Sequence, residues 1–356
     1  MANITIKNIY YMLSYAFQTL QETGLDNVAL EDFDNIHDLF AAILVRGVGA
    51  QVKRGLYRNY IPKQESLAGL RGQINVAETV KQLTQPQGRL VCTFDEYSPD
   101  SPHNQALKSV MLLLLMHGNV KQENRKAIRK LLLYFADVTE IEPASIRWDA
   151  LKYHRNNASY RMLLGICRLT VKGLLLTTES GTYRLAAWLQ GEEMHRLYEK
   201  FVLSYYLRHH PDLFPKAALI DWDISKDGRS PYLPVMKSDI TLKNGDKQLI
   251  IDTKYYERGT MQHNSLYDSR TFISANLYQI YTYVKNSDKG ATGNVAGILL
   301  YAKTDEAVTP DEDMVIGGNR ISLKTLDLNQ EWATVTEQLE NLCVWLQAPQ
   351  PRQWIY

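Results

Sequence analysis

Cysteine is scarce in this chain: Cys92, Cys167 and Cys343 are its only three, far apart and odd in number. With no Cys-X-X-Cys pair and no Cys/His cluster, a zinc ribbon or finger is excluded, and reduced, packed thiols are the ordinary reading. Long apolar runs are missing too. The longest, Val110 to Met116, is far too short to span a bilayer. The opening stretch Ile4 to Leu20 is broken by Lys7, Asn8 and Gln18, unlike a secretory leader, so a cytoplasmic protein with no membrane association is expected. Neither sign of charge is in surplus: 40 basic against 39 acidic residues give a net charge of +1. A chain that grips a long duplex unaided is usually more basic, so a DNA-acting protein of this composition takes its grip from a partner or a local patch. Repeats and low-complexity tracts are absent, which excludes solenoid and disordered classes. No Gly-X-X-X-X-Gly-Lys-Ser/Thr loop is present, so this chain is expected to bind no nucleotide itself, and any NTP-driven step belongs to another subunit.

What is there divides the 356 residues into an expected N-terminal domain (1–150), a helical linker (151–189) and a C-terminal domain (190–356). Apolar spacing predicts amphipathic helices over 9–21 and 36–52. Glycines, prolines and β-prone runs between about 54 and 97 predict short strands joined by turns, with 75–83 as a possible helix. Further helices are expected to run up to Met116, over 123–135 and over 160–174. The helix over 123–135 carries a basic stripe with Lys121, Arg125, Lys126, Arg129 and Lys130. A solvated face is the ordinary reading of such a stripe, and a phosphate or partner contact the other. After residue 190 the order is helix (192–208), strands (219–224, 238–242, 248–255), helix (274–284) and strand (295–302). This is an α/β (α+β) pattern, a mixed sheet flanked by helices.

The chemistry concentrates in the segment from Ser238 to Lys254. Asn244-Gly245 between two β-prone runs is a strong hairpin signal. With those two residues as the turn, Lys243 pairs with Asp246, and Asp239 lies opposite Ile250. Asp239, Ile250, Asp252 and Lys254 then share one face, with the acids diagonal neighbours about 5–8 Å apart. A register shift of one would separate them. The apolar strand Leu249-Ile250-Ile251 runs straight into Asp252 and Lys254, and burying an unpaired ion costs several kcal/mol. Such charges persist where they pair or act. Two carboxylates plus the backbone carbonyl of Thr253 make an oxygen set for Mg²⁺, and Lys254 stands beside a scissile phosphate. This is the PD-(D/E)XK pattern of metal-dependent phosphodiester hydrolysis. Glu199, on the preceding helix, is a candidate further acid or metal ligand, although a solvated helix face explains it equally well. Gln279 and Tyr283, four apart on one helix face, are candidates to contact phosphate or the attacking water, or are ordinary core. A structural salt bridge at a sheet edge is the competing account of Asp252 and Lys254. His195, His209, His210 and His263 show no ligand spacing.

Several blocks of this sequence also resemble a known family. They are Lys7-Asn8-Ile9-Tyr10-Tyr11-Met12-Leu13-Ser14-Tyr15-Ala16, Arg54-Gly55-Leu56, Gly69-Leu70-Arg71-Gly72-Gln73-Ile74, Thr93-Phe94-Asp95, Leu197-Tyr198-Glu199-Lys200-Phe201, Ser238-Asp239-Ile240-Thr241, Asp252-Thr253-Lys254-Tyr255-Tyr256 and Asn276-Leu277-Tyr278-Gln279. In order and spacing they resemble the McrC family, nuclease subunits of McrBC modification-dependent (type IV) restriction systems. The resemblance implies that Asp239, Asp252 and Lys254 are the catalytic aspartates and lysine. It implies that the N-terminal part contacts an McrB-like AAA+ GTPase hexamer, which uses the GTP and recognises methylcytosine, and whose GTP hydrolysis this chain stimulates. Cleavage of double-stranded methylated DNA is implied with it; cutting both strands hints at paired copies. Two other readings stay open: a stand-alone RecB-like repair nuclease, and a non-catalytic assembly factor or GTPase activator.

Overall fold

The structure is a computed structural model that describes residues 4–17, 33, 35–82, 88–154, 157–177, 183–185, 191–224, 230, 232–256, 259–264, 269–303, 306 and 308–347. The chain forms two compact units, Met1–Gln21 with Leu189–Tyr356, and Glu22–Trp188. Among the described residues no helix is long and apolar enough to cross a membrane.

The chain opens with α1 (Ile6–Phe17), which belongs to the unit containing the chain's last residues. The following unit contains α2 (Ile36–Arg54), β1 (Asn59–Leu67), β2 (Gln73–Ile74), α3 (Val76–Gln82), β3 (Leu90–Ser98), α4 (Pro102–His117), α5 (Gln122–Leu132) and α6 (Tyr160–Arg168). A π-helical turn (Leu169–Leu174) and the short pair β4 (Leu175–Thr177) and β5 (Tyr183–Leu185) complete it. Asn35 caps α2 by accepting the Asp38 amide at 3.1 Å, and Ser101 with Pro102 starts α4, both standard ways to satisfy or dispense with free N-terminal amides. Both helices bury most of their apolar residues, as central helices do. β1, β3 and β2 form an antiparallel sheet in that order. Gly72 has φ +68° and sits so close to the Thr93 carbonyl that a side chain would collide with it, which explains glycine in that loop.

In the other unit α7 (Gly191–His209) precedes a short pair, β6 (Leu219–Ile220) and β7 (Met236–Lys237). β8 (Ile240–Asn244) and β9 (Lys247–Lys254) follow, then the ribbon β10 (Met261–Asn264) and β11 (Ser269–Phe272), α8 (Ser274–Ser287), β12 (Val295–Ala302), β13 (Glu312–Ile316), β14 (Asn319–Leu326) and α9 (Trp332–Gln347). The five-stranded sheet runs β13-β14-β12-β9-β8. Its centre, β9-β12-β14, is parallel and its two edges are antiparallel. α8 is the crossover from β9 to β12, as parallel neighbours require. Ile280 and Val284 of α8 pack on Ile250, Leu299, Ile321 and Leu323. Gly297 permits that approach, because a Cβ there would lie 2.7 Å from both Ile280 Cγ1 and Val284 Cγ2. α9 covers the other face, and α7 is tied to it by Tyr206, whose hydroxyl donates to the Leu339 carbonyl at 2.8 Å.

The expected division at residues 150 and 190 differs from the two units found. α1 packs on α7, with Ile9, Met12 and Leu13 fully buried. Asn8 Nδ2 donates to the Leu328 and Gln330 carbonyls, both at 2.8 Å, and Tyr11 stacks on Trp332 with ring centroids 4.5 Å apart. Residues 151–188 fall with the helical unit, where Tyr160 donates to Asn104 Oδ1 at 2.9 Å and accepts the Tyr57 amide. Periodicity marks which face of a helix is apolar but not which distant segment covers it. The expected helix over 9–21 is described only to Phe17, and the expected strand over 219–224 pairs only at Leu219–Ile220.

Candidate functional site

The hairpin expected at Asn244-Gly245 forms, with a different turn. Asn244 pairs with Lys247, so the loop is Gly245-Asp246. Gly245 alone of the two takes positive φ, +57°, the requirement of a type II′ turn with glycine first. The register therefore moves by two residues from the expected one. Ile240 pairs with Ile251, which sets Asp239, one residue before the strand, across from Asp252 instead of Ile250. A shift of two preserves the side-chain face. The acids become direct neighbours.

Asp239 is half-buried. Its Oδ2 accepts the Thr253 amide and the Thr253 hydroxyl, both at 2.7 Å. Asp252 is only 2% exposed, and the Lys254 ammonium lies 2.6 Å from its Oδ2. That approach is an ion pair lying off the hydrogen-bonding direction, so Asp252 Oδ2 remains a buried oxygen with no aligned donor. Burial raises the Asp252 pKa, the Asp239 charge adds to the rise, and Lys254 opposes it. Lys254 donates in turn to Gln279 Oε1 at 2.9 Å, and Gln279 Nε2 donates to the Tyr283 hydroxyl at 2.9 Å. The two α8 residues thus clamp the lysine. Beneath them, Tyr301 stands opposite Lys254 in the β9–β12 ladder. Asn276 Nδ2 reaches both Tyr301 and Tyr256 hydroxyls at 3.0 Å.

Glu199 is half-buried on α7 and makes no hydrogen bond or ion pair among the described residues. Burial raises its carboxyl, with Asp239 next and Asp252 adding, against Lys237 and Arg196. The acid therefore stands within electrostatic reach of the other two. His195 was not expected here. It lies one turn before Glu199 on the same helix face; burial lowers its pKa, Asp239 opposes, and Lys254 assists. The i to i+4 spacing to Glu199 was the available signal. The His263 side chain lies outside the described residues.

The donor set fits a hard divalent cation: two carboxylates that repel one another, with the Thr253 carbonyl as a third oxygen. Among the described residues no three His, Cys, Asp or Glu side chains form a metal-holding group; Asp239 and Asp252 are the carboxylates that would hold such an ion. A cavity of about 810 Å³ opens on the opposite face of the sheet, between Leu249, Ile298 and α9. Its wall charges neutralise each other, as in Lys303–Asp327 and Lys324–Asp313 at 2.6 and 3.0 Å, and it does not include the acids.

Comparison with known proteins places this geometry in context. Residues 3–302 match the family described as McrBC 5-methylcytosine restriction system component. The chain is 30% identical over 343 residues, 94% of its own length and 96% of the relative's, to the type IV methyl-directed restriction enzyme EcoKMcrBC of Escherichia coli (strain K12). A solved half-complex from a tetradecameric assembly of Thermococcus gammatolerans McrB AAA+ hexamers with bound McrC aligns with 96% of this chain and 76% of that one. The TM-score is 0.51 at 17% identity, a likeness of fold. A cryo-EM structure of the T. gammatolerans McrBC complex aligns over 57% of this chain at a TM-score of 0.40. The chain belongs to the McrBC 5-methylcytosine restriction system component family.

Proposed function

We propose that this chain is the magnesium-dependent DNA-cutting subunit of a methylcytosine-directed restriction complex in the cytoplasm. It hydrolyses phosphodiester bonds of double-stranded DNA while bound to an AAA+ GTPase hexamer whose GTP hydrolysis it stimulates. The observation that carries the reading is Asp239 standing across β8–β9 from Asp252, with Lys254 two residues on and 2.6 Å from Asp252. The chain's resemblance to a methyl-directed restriction enzyme, and its fold likeness to a McrC held by McrB hexamers, support the partner and the substrate.

Asp239, Asp252 and the Thr253 carbonyl would hold Mg²⁺, with Glu199 as an additional acid. A bound Mg²⁺ supplies acidification of a water and neutralisation of phosphate charge. Lys254, held by Gln279, presents its ammonium where negative charge grows on the phosphate. The low dielectric around Asp252 strengthens that interaction. Tyr283 fixes Gln279, so the lysine is positioned before substrate arrives. GTP serves the partner, and two copies of this chain are needed to cut both strands.

The test is a cleavage assay on methylated plasmid with Mg²⁺ and GTP, with and without the AAA+ partner. Asp252→Ala and Lys254→Ala should each lower cutting at least about 100-fold, the scale of lost preorganised electrostatics, while partner GTP hydrolysis continues. Undiminished cutting by Asp252→Ala would place the reaction elsewhere. Cutting by the chain alone, without GTP, would favour a stand-alone nuclease.

A further inference from the structure

α5 presents four cations on one outer face: Arg125, Lys126, Arg129 and Lys130. At 100° per residue they span an arc of about 140°, and the five rises from Arg125 to Lys130 hold them within about 7.5 Å of helix axis. Lys126, Arg129 and Lys130 are exposed and Arg125 is half-buried. Among the described residues none of the four has an ion pair or a hydrogen bond. Some exposed cations elsewhere are matched, as in Lys63–Glu96 at 3.3 Å and Arg196–Glu192 at 2.5 Å. Others, such as Arg58 and Lys289, stand singly among the described residues; what sets α5 apart is four together on one helix face. A solvated helix face of the usual kind interleaves acids with bases. The strip continues into Leu133 and Tyr134, 76% and 63% exposed.

The helix is also held still. Asp38, 1% exposed, accepts the Lys121 amide and Asn124 Nδ2 through one carboxylate oxygen, both at 2.9 Å. Ile128 is fully buried beneath the strip. The cations are therefore presented on a helix tethered at its start and packed through Ile128, in a protein whose overall charge is +1.

We infer that the outer face of α5 is a contact surface for the phosphate backbone of duplex DNA. The inference rests on the DNA-cutting reading and names where part of the grip resides. Duplex DNA presents about one negative charge per 1.7 Å of axis, so a cationic strip about 7.5 Å long, carried on side chains as long as lysine and arginine, faces several phosphates. Two of the four are arginines, whose planar forks suit phosphate oxygens. Backbone contacts of this kind carry no sequence preference, which agrees with recognition of methylation residing in a partner.

Binding of the full chain to a fluorescein-labelled duplex, in EDTA so that nothing is cut, reads the contact directly. Replacing all four residues by glutamine should weaken binding at least about ten-fold near 0.1 M salt, equally for methylated and unmethylated duplexes. It should also reduce the slope of log affinity against log salt by about 3.6, from roughly 0.9 for each of four phosphate contacts. Arg125→Lys with Arg129→Lys should keep the slope. If the quadruple variant has a lowered melting midpoint, the pairs Arg125→Gln/Arg129→Gln and Lys126→Gln/Lys130→Gln should each show about half the change in slope. An unchanged slope overturns the proposal, as does loss of capture by the AAA+ partner with DNA binding intact. Because the binding assay needs no metal and no cutting, the cleavage assay decides the catalytic reading separately.

Discussion

Thr253 secures Asp239 twice, through its amide and its hydroxyl, and the two contributions are separable. Thr253→Val removes the hydroxyl bond at nearly constant shape and leaves the amide in place. A hydrogen bond to a charged group contributes about 1.5–3 kcal/mol. The variant should therefore melt lower, and cleave about ten-fold more slowly because Asp239 regains freedom next to Asp252. Full activity in Thr253→Val would show that the hydroxyl does not position the acid. Of this site, Asp239, Asp252 and Lys254 were legible in the sequence because an apolar strand runs into charge. His195 was not, because its spacing to Glu199 marks a shared helix face but not how α7 lies against β9.

Between residues and the whole, α8 is the element on which the site depends. Its clamp on Lys254 requires the close approach that Gly297 allows. Gly297→Ala places a methyl 2.7 Å from Ile280 and Val284, and overpacking of this kind costs about 1–3 kcal/mol. The helix should move outward, taking Gln279 from Lys254, so activity should fall by more than the loss of melting temperature explains. Retained rate at reduced stability would argue that the clamp tolerates displacement. The turn after α8 has an acid sensitivity of its own. Burial raises the Asp288 carboxyl, but bonds from Asn319, from the Thr292 hydroxyl and amide, and from the Gly293 amide outweigh it and hold it at about 2. A depressed carboxylate pKa contributes stability that is fully present above the unfolded value of about 3.9 and is lost as pH falls toward 2. Asp288→Asn should thus flatten the fall in melting temperature between about pH 4 and 2 relative to the parent; parallel curves would refute this. At this scale the hairpin, α7, α8 and β12 were readable from period and turn chemistry. The hairpin register was not, because Asn-Gly and Gly-Asp turns are both two-residue solutions of the same sequence and differ by two in pairing.

Across the whole molecule, the expected boundaries placed α1 with the residues that follow it, and the structure places it with α7 and residues 189–356. Deleting residues 1–21 should bare the α7 surface around Phe201 and Tyr205, which α1 covers through Tyr15, and leave Trp332 without its stacking partner Tyr11. Exposed apolar surface of that kind promotes aggregation. Residues 189–356 alone should melt well below the same segment supplied with 1–21 through a linker, as read by circular dichroism and limited proteolysis. Equal stability would mean α1 is a passenger. The arrangement has a consequence in time. A ribosome delivers α1 first and its cover last, and at roughly 5–20 residues per second the roughly 170 residues between them take about ten to thirty seconds to emerge. By the end of that wait the inserted unit has its complete sequence and can collapse on its own, while Asp239, Asp252 and Lys254 have not yet been made. The unit that carries Asp239, Asp252 and Lys254 therefore closes around α1 only after the inserted segment has had time to fold.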